Sequence, residues 1–265
     1  MFYLITGSSQ GIGYQIAKDL YDQKKKLILC SRETNKLKKE FIKNCFCLNS
    51  DFQKINDIKY IKKFIKKKKI KLSAIISCHG LLGVPIDIFN INKKNWWNIF
   101  HTNFTSNLNI IDQLFPFIKK NKYSNIIFFS GGGVFTTWPK FSAYSISKTA
   151  LVKYSENLSE ELYKNKIIIN CIAPGFINTN IHKKNYKLLK KLNLKYKQEL
   201  KKNKNSKPNF ENVVALLNFI LKNKNMKLSG KTISANFDKW RTDINFIKNT
   251  QKLNNSLMIT RNNIN

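Results

Sequence analysis

Histidine, glycine and acidic side chains are all scarce in this chain, and each scarcity narrows what it does. The three histidines have no regular spacing. The cysteines, Cys30, Cys45, Cys47, Cys78 and Cys171, show no pair of CxxC motifs, so no metal-ligand framework exists and no metal is expected. An odd number of thiols, five, reads as reduced residues packed in strands, not as a disulfide network. No apolar run approaches the roughly twenty residues of a membrane helix. Met1 to Thr6 runs straight into a glycine motif without a charged leader or cleavage site. Neither membrane span nor signal peptide is expected, and the location expected is cytoplasmic. There is no internal repeat and no Pro/Gly/Ser-rich linker.

The scarcest charge is negative: 15 Asp plus Glu stand against 48 Lys plus Arg, a formal net charge of +33. A basic patch is the usual footprint of nucleic-acid binding. Here the lysines are spread through almost every polar segment, together with abundant Asn and Ile, which is a chain-wide compositional bias. No specific nucleic-acid partner is expected.

What the chain does have is apolar content, 42% of 265 residues, enough for one substantial core. Short apolar runs at 2–6, 27–31, 45–48, 74–78, 126–130, 167–173 and 232–235 alternate with amphipathic segments around 11–24, 33–43, 54–68, 94–119 and 142–164. The stretch from 180 to 224 reads as two further helices. Continuous apolar strands alternating with helices predict an α/β fold, a Rossmann-like doubly wound parallel sheet of about seven strands with helices on both faces. The expected division is a dinucleotide-binding and catalytic domain over 1–240 and a C-terminal tail over 241–265, which carries little pattern.

With only ten glycines to spend, the chain concentrates them. "TGSSQGIG", Thr6 to Gly13, follows the first strand and opens a helix, where backbone N–H groups and the helix N-terminus meet a pyrophosphate. "SGGG", Ser130 to Gly133, ends the fifth strand. The second strand ends Cys30-Ser31-Arg32; with a basic residue and no carboxylate at the tip, NADP(H) is favoured over NAD(H), Arg32 binding the 2′-phosphate. Tyr144 and Lys148 lie four apart on one helical face. An ammonium beside a phenol, whose ordinary pKa is about 10, is expected to lower it and make Tyr144 a usable acid or base.

Together these motifs resemble the short-chain dehydrogenase/reductase family over residues 1 to about 240, with Tyr144 and Lys148 as its Tyr-x-x-x-Lys signature. The resemblance implies an NADP-dependent oxidoreductase interconverting a carbonyl and a secondary alcohol. Asn103, seven residues after Trp96, falls at the asparagine of the family's proton relay, and Lys148 also holds the nicotinamide ribose. The implied cofactor site comprises Gly7, Ser9, Gln10, Gly11, Ile12, Gly13, Arg32, Asp51 and Phe52 near the adenine, Gly80, Tyr144, Lys148, and the "PGFINT" residues Pro174, Gly175, Ile177 and Thr179. "SCHG", Ser77 to Gly80, stands where members usually carry NNAG, and only its glycine survives.

The family's catalytic serine position falls on Gly131. Ser130, one residue displaced, is therefore expected to polarise the substrate oxygen within hydrogen-bond reach of Tyr144, directly or through one water, with Thr136 or Thr137 as the alternative. Residues 180–208 correspond to the substrate lid, where Lys183, Lys184, Lys187, Lys190 and Lys191 suggest an anionic substrate. The helices around 94–119 and 142–164 imply a homodimer or homotetramer. Three alternatives stay open. The substrate is a 3-oxoacyl thioester or a sugar derivative, or the protein is a non-catalytic dinucleotide sensor, a type that tends to lose the tyrosine and lysine kept here.

Overall fold

Each apolar run becomes a strand: β1 (Phe2–Thr6), β2 (Lys26–Ser31), β3 (Cys45–Asn49), β4 (Leu72–Ser77), β5 (Ser124–Phe129), β6 (Ile167–Ala173) and β7 (Thr232–Ser234). The structure, a computed structural model, describes residues 1–118, 123–188, 190, 192, 194–252 and 257–259. Its sheet has the order β3-β2-β1-β4-β5-β6-β7, and every neighbouring pair is parallel. The order reverses between β1 and β4, so a crevice opens beyond their carboxyl ends, the place where such sheets bind ligands.

The helices are α1 (Gly11–Asp22), α2 (Asn35–Glu40), α3 (Ile55–Lys67), α4 (Lys93–Phe100), α5 (Ser106–Leu114), α6 (Ser142–Glu161), α7 (Lys183–Tyr186), α8 (Leu194–Lys202), α9 (Glu211–Lys222) and α10 (Phe246–Lys252). Strand alternation feeds two cores. Ile5, Ile127 and Phe129 face α1 and α9 through Ile16, Leu20, Val213 and Leu217. Leu4, Ile126 and Phe128 face α3, α5 and α6 through Ile61, Ile110 and Leu151. On α3, Ile58, Ile61 and Ile65 recur at helical spacing and are all buried, while Lys59 and Lys63 between them face solvent.

The helical stretch expected over 94–119 is broken twice. A π-helical turn at His101–Thr105 separates α4 from α5. Pro116, which lacks a backbone N–H, sits in the 3₁₀ turn that follows α5. The stretch from 180 to 224 holds a third, short helix, α7, besides the two expected. Among the described residues no helix is long and apolar enough to cross a membrane.

Candidate active site

The turn leaving β1 is shaped by what cannot fit there. Gly7 has φ +63°, and a Cβ on it would come within 2.9 Å of the His79 backbone. A Cβ on Gly13 would sit 2.5 Å from the Gly7 carbonyl oxygen. The sparse glycines therefore let α1 start directly beneath β1, leaving a cradle lined by Ser9, Gln10, Gly11 and Ile12 at the helix N-terminus, a geometry that fits a pyrophosphate. From the other side the segment after β6 closes in. Thr179 lies 3.7 Å from a Cβ built on Gly11, and Asn180 Nδ2 donates to Gln10 Oε1 at 2.7 Å. Arg32 is exposed at the tip of β2, beside the buried Ser31, whose hydroxyl donates to the Glu33 carbonyl at 2.6 Å.

At the end of β3, Asp51 Oδ1 accepts from Gln53 N at 3.1 Å, and Asp51 N donates to Asp57 Oδ2 at 2.8 Å. Phe52 is buried and stacks on His79 with ring centroids 4.7 Å apart. His79, in place of a small residue, links two elements. Its Nδ1 pairs with Thr6 Oγ1 and its Nε2 with Ser106 Oγ, both at 2.7 Å. The Ser106 hydroxyl donates its single proton to the Thr102 carbonyl. Nε2 must then be the protonated nitrogen and Nδ1 the acceptor. Burial, reinforced by the Lys148 charge, pushes this ring's pKa down to about 3, so it is neutral.

The π turn brings Asn103 to the loop after β4. Asn103 Oδ1 accepts from Leu81 N at 2.7 Å, and its Nδ2 donates to Leu81 O at 2.8 Å and Ser147 Oγ at 3.0 Å. Gly80 fills the gap between Asn103 and α6: a Cβ there would lie 3.1 Å from Asn103 Oδ1 and 3.7 Å from Lys148 Nζ. Lys148 Nζ is 6.0 Å from the centre of the Tyr144 ring and donates to the Phe129 carbonyl at 2.8 Å. Asn103, Gly80, Tyr144 and Lys148 thus lie together at the carboxyl edge of the sheet.

Two expectations change. Burial pushes the Tyr144 phenol up to about 12, where a neighbouring ammonium was expected to lower it; the Lys148 charge is directed at a backbone carbonyl, and desolvation wins. Burial likewise brings the Lys148 ammonium down to about 8. The second change concerns Ser130. Its N–H donates to Ile172 O at 2.9 Å, but its buried hydroxyl has no hydrogen-bond partner among the described residues, so the direct bond to Tyr144 is not formed. A Cβ on Gly131 would instead overlap the Tyr144 hydroxyl. Position 131 faces the phenol, and a side chain there would displace it. Thr136 and Thr137 are exposed and line an open groove with Trp138 and Ser142.

Pro174, Gly175 (φ +73°) and the buried Ile177 turn the chain after β6, toward Thr179. Beyond them Lys183, Lys187 and Lys190 of the lid are exposed; the Lys184 side chain and Lys191 lie outside the described residues. Sequence reasoning missed Trp138, which stands edge-on to Tyr144 with ring centroids 5.5 Å apart, and Tyr196 of α8. Their only signal in the sequence was an aromatic beside the signature and another in a lysine-rich stretch, and neither declares a partner.

Residues 2–189 match the profile described as short chain dehydrogenase. Among curated proteins, a benzil reductase ((S)-benzoin forming) of Saccharomyces cerevisiae is 27% identical over 191 residues, covering 68% of this chain and 73% of the relative. A 3-oxoacyl-[acyl-carrier-protein] reductase of Buchnera aphidicola is 27% identical over 238 residues, covering 88% of this chain and 94% of the relative. A solved short chain dehydrogenase/reductase from Saccharomyces cerevisiae superimposes with TM-score 0.80 at 21% identity, covering 91% of this chain and 98% of the other.

Proposed function

Because this chain belongs to the short chain dehydrogenase family, we propose that it is an NADP-dependent reductase converting a carbonyl to a secondary alcohol, with Tyr144 as the proton donor. Family membership itself makes it an oxidoreductase of the CH–OH/C=O type using a nicotinamide dinucleotide. The finer reading rests on one observation: the Tyr144 phenol, held protonated by burial, lies against the Gly131 backbone one helical turn before Lys148. A phenol with a pKa of about 12 is protonated at neutral pH, the state that can donate a proton to a developing alkoxide.

When bound, the nicotinamide supplies the hydride. The residues of the chain divide the remaining work. N–H groups of the Gly7–Gly13 turn and the start of α1 hold the pyrophosphate, and Arg32 meets the 2′-phosphate. Asp51 and Phe52 border the adenine, and Lys148 holds the ribose. Pro174, Gly175, Ile177 and Thr179 border the carboxamide. Asn103 anchors the loop carrying Gly80 and serves the proton relay. Ser130, whose buried hydroxyl lacks a partner among the described residues, is assigned to the substrate oxygen. The assembly is a homo-oligomer. The relatives' names point to two different substrates, benzil and a 3-oxoacyl-acyl-carrier-protein, so they do not choose a substrate.

The test follows nicotinamide absorbance over a panel of carbonyl compounds. NADPH should support faster turnover than NADH, and Arg32→Asp should reverse that order. Tyr144→Phe should abolish turnover while dinucleotide binding persists, and Ser130→Ala should lower turnover by a factor on the order of one hundred. Turnover of Tyr144→Phe at the unmodified rate would reject the proton-donor assignment.

A further inference from the structure

Four segments of the chain converge on Tyr144, and all of them present apolar or aromatic groups. Leu82 follows β4, Trp138 and Phe141 precede the catalytic turn of α6, Phe176 follows β6, and Tyr196 and Leu200 come from α8; they form one cluster against which Tyr144 packs. Trp138 is its centre. The indole stands edge-on to Tyr144 at 5.5 Å and edge-on to Tyr196 at 5.1 Å, with Phe141 stacked on it at 4.8 Å. Tyr196 is 2% exposed, so α8 closes over this wall.

The polar groups of the lid face one another. The Tyr196 hydroxyl pairs with His182 Nδ1 at 2.7 Å, the Tyr186 hydroxyl donates to Asn178 Oδ1 at 2.7 Å, and Asn185 Nδ2 donates to the Gly83 carbonyl at 3.2 Å. The His182 ring stacks on Phe176 at 4.6 Å, and burial pushes its pKa down to about 4, so it brings no charge. The lysines Lys183, Lys187 and Lys190 point to solvent. Against these rings a polyhydroxylated sugar would find few partners, Asn185 Oδ1, Ser130 Oγ and Ser145 Oγ being the nearby buried groups without one among the described residues, and each further hydroxyl left unpaired costs about 1–3 kcal/mol. An anion would find Lys183, Lys187 and Lys190 on the outer surface. A flat ring, by contrast, gains edge-to-face contacts on every side.

On the reading that Tyr144 protonates a carbonyl, we propose that the substrate is an uncharged aryl ketone whose ring lies between Trp138 and the Tyr196 lid while its carbonyl oxygen meets the Tyr144 hydroxyl. The lid Tyr196 lifts from Trp138 to admit the ring, and the Trp138–Tyr196 contact is replaced by two contacts to the substrate.

Two measurements on the full chain test this. First, kcat/KM with NADPH is compared for acetophenone, cyclohexyl methyl ketone, a ketohexose and an acetoacetyl thioester. Acetophenone should exceed its saturated analogue by about tenfold or more, equivalent to about 1.4 kcal/mol, and exceed the other two by more. Trp138→Leu should bring the acetophenone-to-cyclohexyl ratio close to one. A preference for the ketohexose or the thioester, or a ratio unchanged in Trp138→Leu, overturns the proposal while leaving Tyr144 chemistry intact. Second, acetophenone should quench tryptophan fluorescence saturably, and Trp138→Leu should remove that component. If the chain reduces none of the four, the carbonyl panel of the previous subsection still decides that reading, and the quench alone decides this one: a saturable quench lost in Trp138→Leu supports an aryl site, and no saturable quench rejects it.

Discussion

At neutral pH the Tyr144 phenol keeps its proton and the Lys148 amine lies near its titration point, because the same burial acts on an acid and a base in opposite directions. Desolvation penalises phenolate and ammonium alike, raising the first pKa to about 12 and lowering the second to about 8. In the roles proposed above, the phenol acts protonated and the amine holds the ribose as ammonium. The pH–rate profile of kcat/KM should therefore be flat below about pH 8 and fall above it as Lys148 loses its proton, with no limb from Tyr144 until far higher pH. Lys148→Met should lose most activity together with that limb. A wild-type limb unchanged in Lys148→Met would assign it to another group.

The element that places Asn103 is a π turn, a local widening of the helix that recurs at functional sites. One extra residue per turn carries Asn103 toward the β4 loop, where its amide grips both backbone groups of Leu81. Asn103→Ala would leave those groups and Ser147 short of partners, at a cost of about 1–3 kcal/mol if they stay buried. Urea unfolding should show a loss of that size, and turnover should fall with it. Asn103→Asp retains the acceptor for Leu81 N but sets a buried carboxylate oxygen against the Leu81 carbonyl, so it should be no more stable than Asn103→Ala. Equal stability of all three proteins would show that the turn holds itself without this side chain.

Across the whole molecule, Trp97 on α4, Leu108 on α5 and Ile146 on α6 are 60%, 39% and 50% exposed. Large apolar residues on neighbouring helices form the kind of surface that a second copy covers. Light scattering should give a mass of two or four times 31.0 kDa, and Trp97→Lys should shift it toward one. A monomer mass for the unmodified chain at working concentration would contradict the homo-oligomer. The +33 charge argues for performing this in moderate salt, since like charges on two copies repel over a Debye length of about 8–10 Å.

Periodicity and apolar content by themselves determined the seven strands and most of the helices, because these depend on local patterns: strands buried on both faces, glycines where a strand turns under a helix, and apolar residues spaced to share a helical face. The meeting of Asn103, Gly80, Tyr144 and Lys148 was legible too, through motifs that the sheet topology gathers at one end. Tertiary structure alone decided the rest. The sign of the Tyr144 shift is a balance between burial and a neighbouring charge, and no sequence spacing states which is larger. That Gly131 faces the phenol while Ser130 does not bond to it follows from side-chain direction where β5 ends. His79 pairing with Thr6 and Ser106, and Trp138 meeting Tyr196, join residues tens of positions apart whose side chains carry no mark of their partners; only packing at the carboxyl edge of the sheet brings them within contact distance.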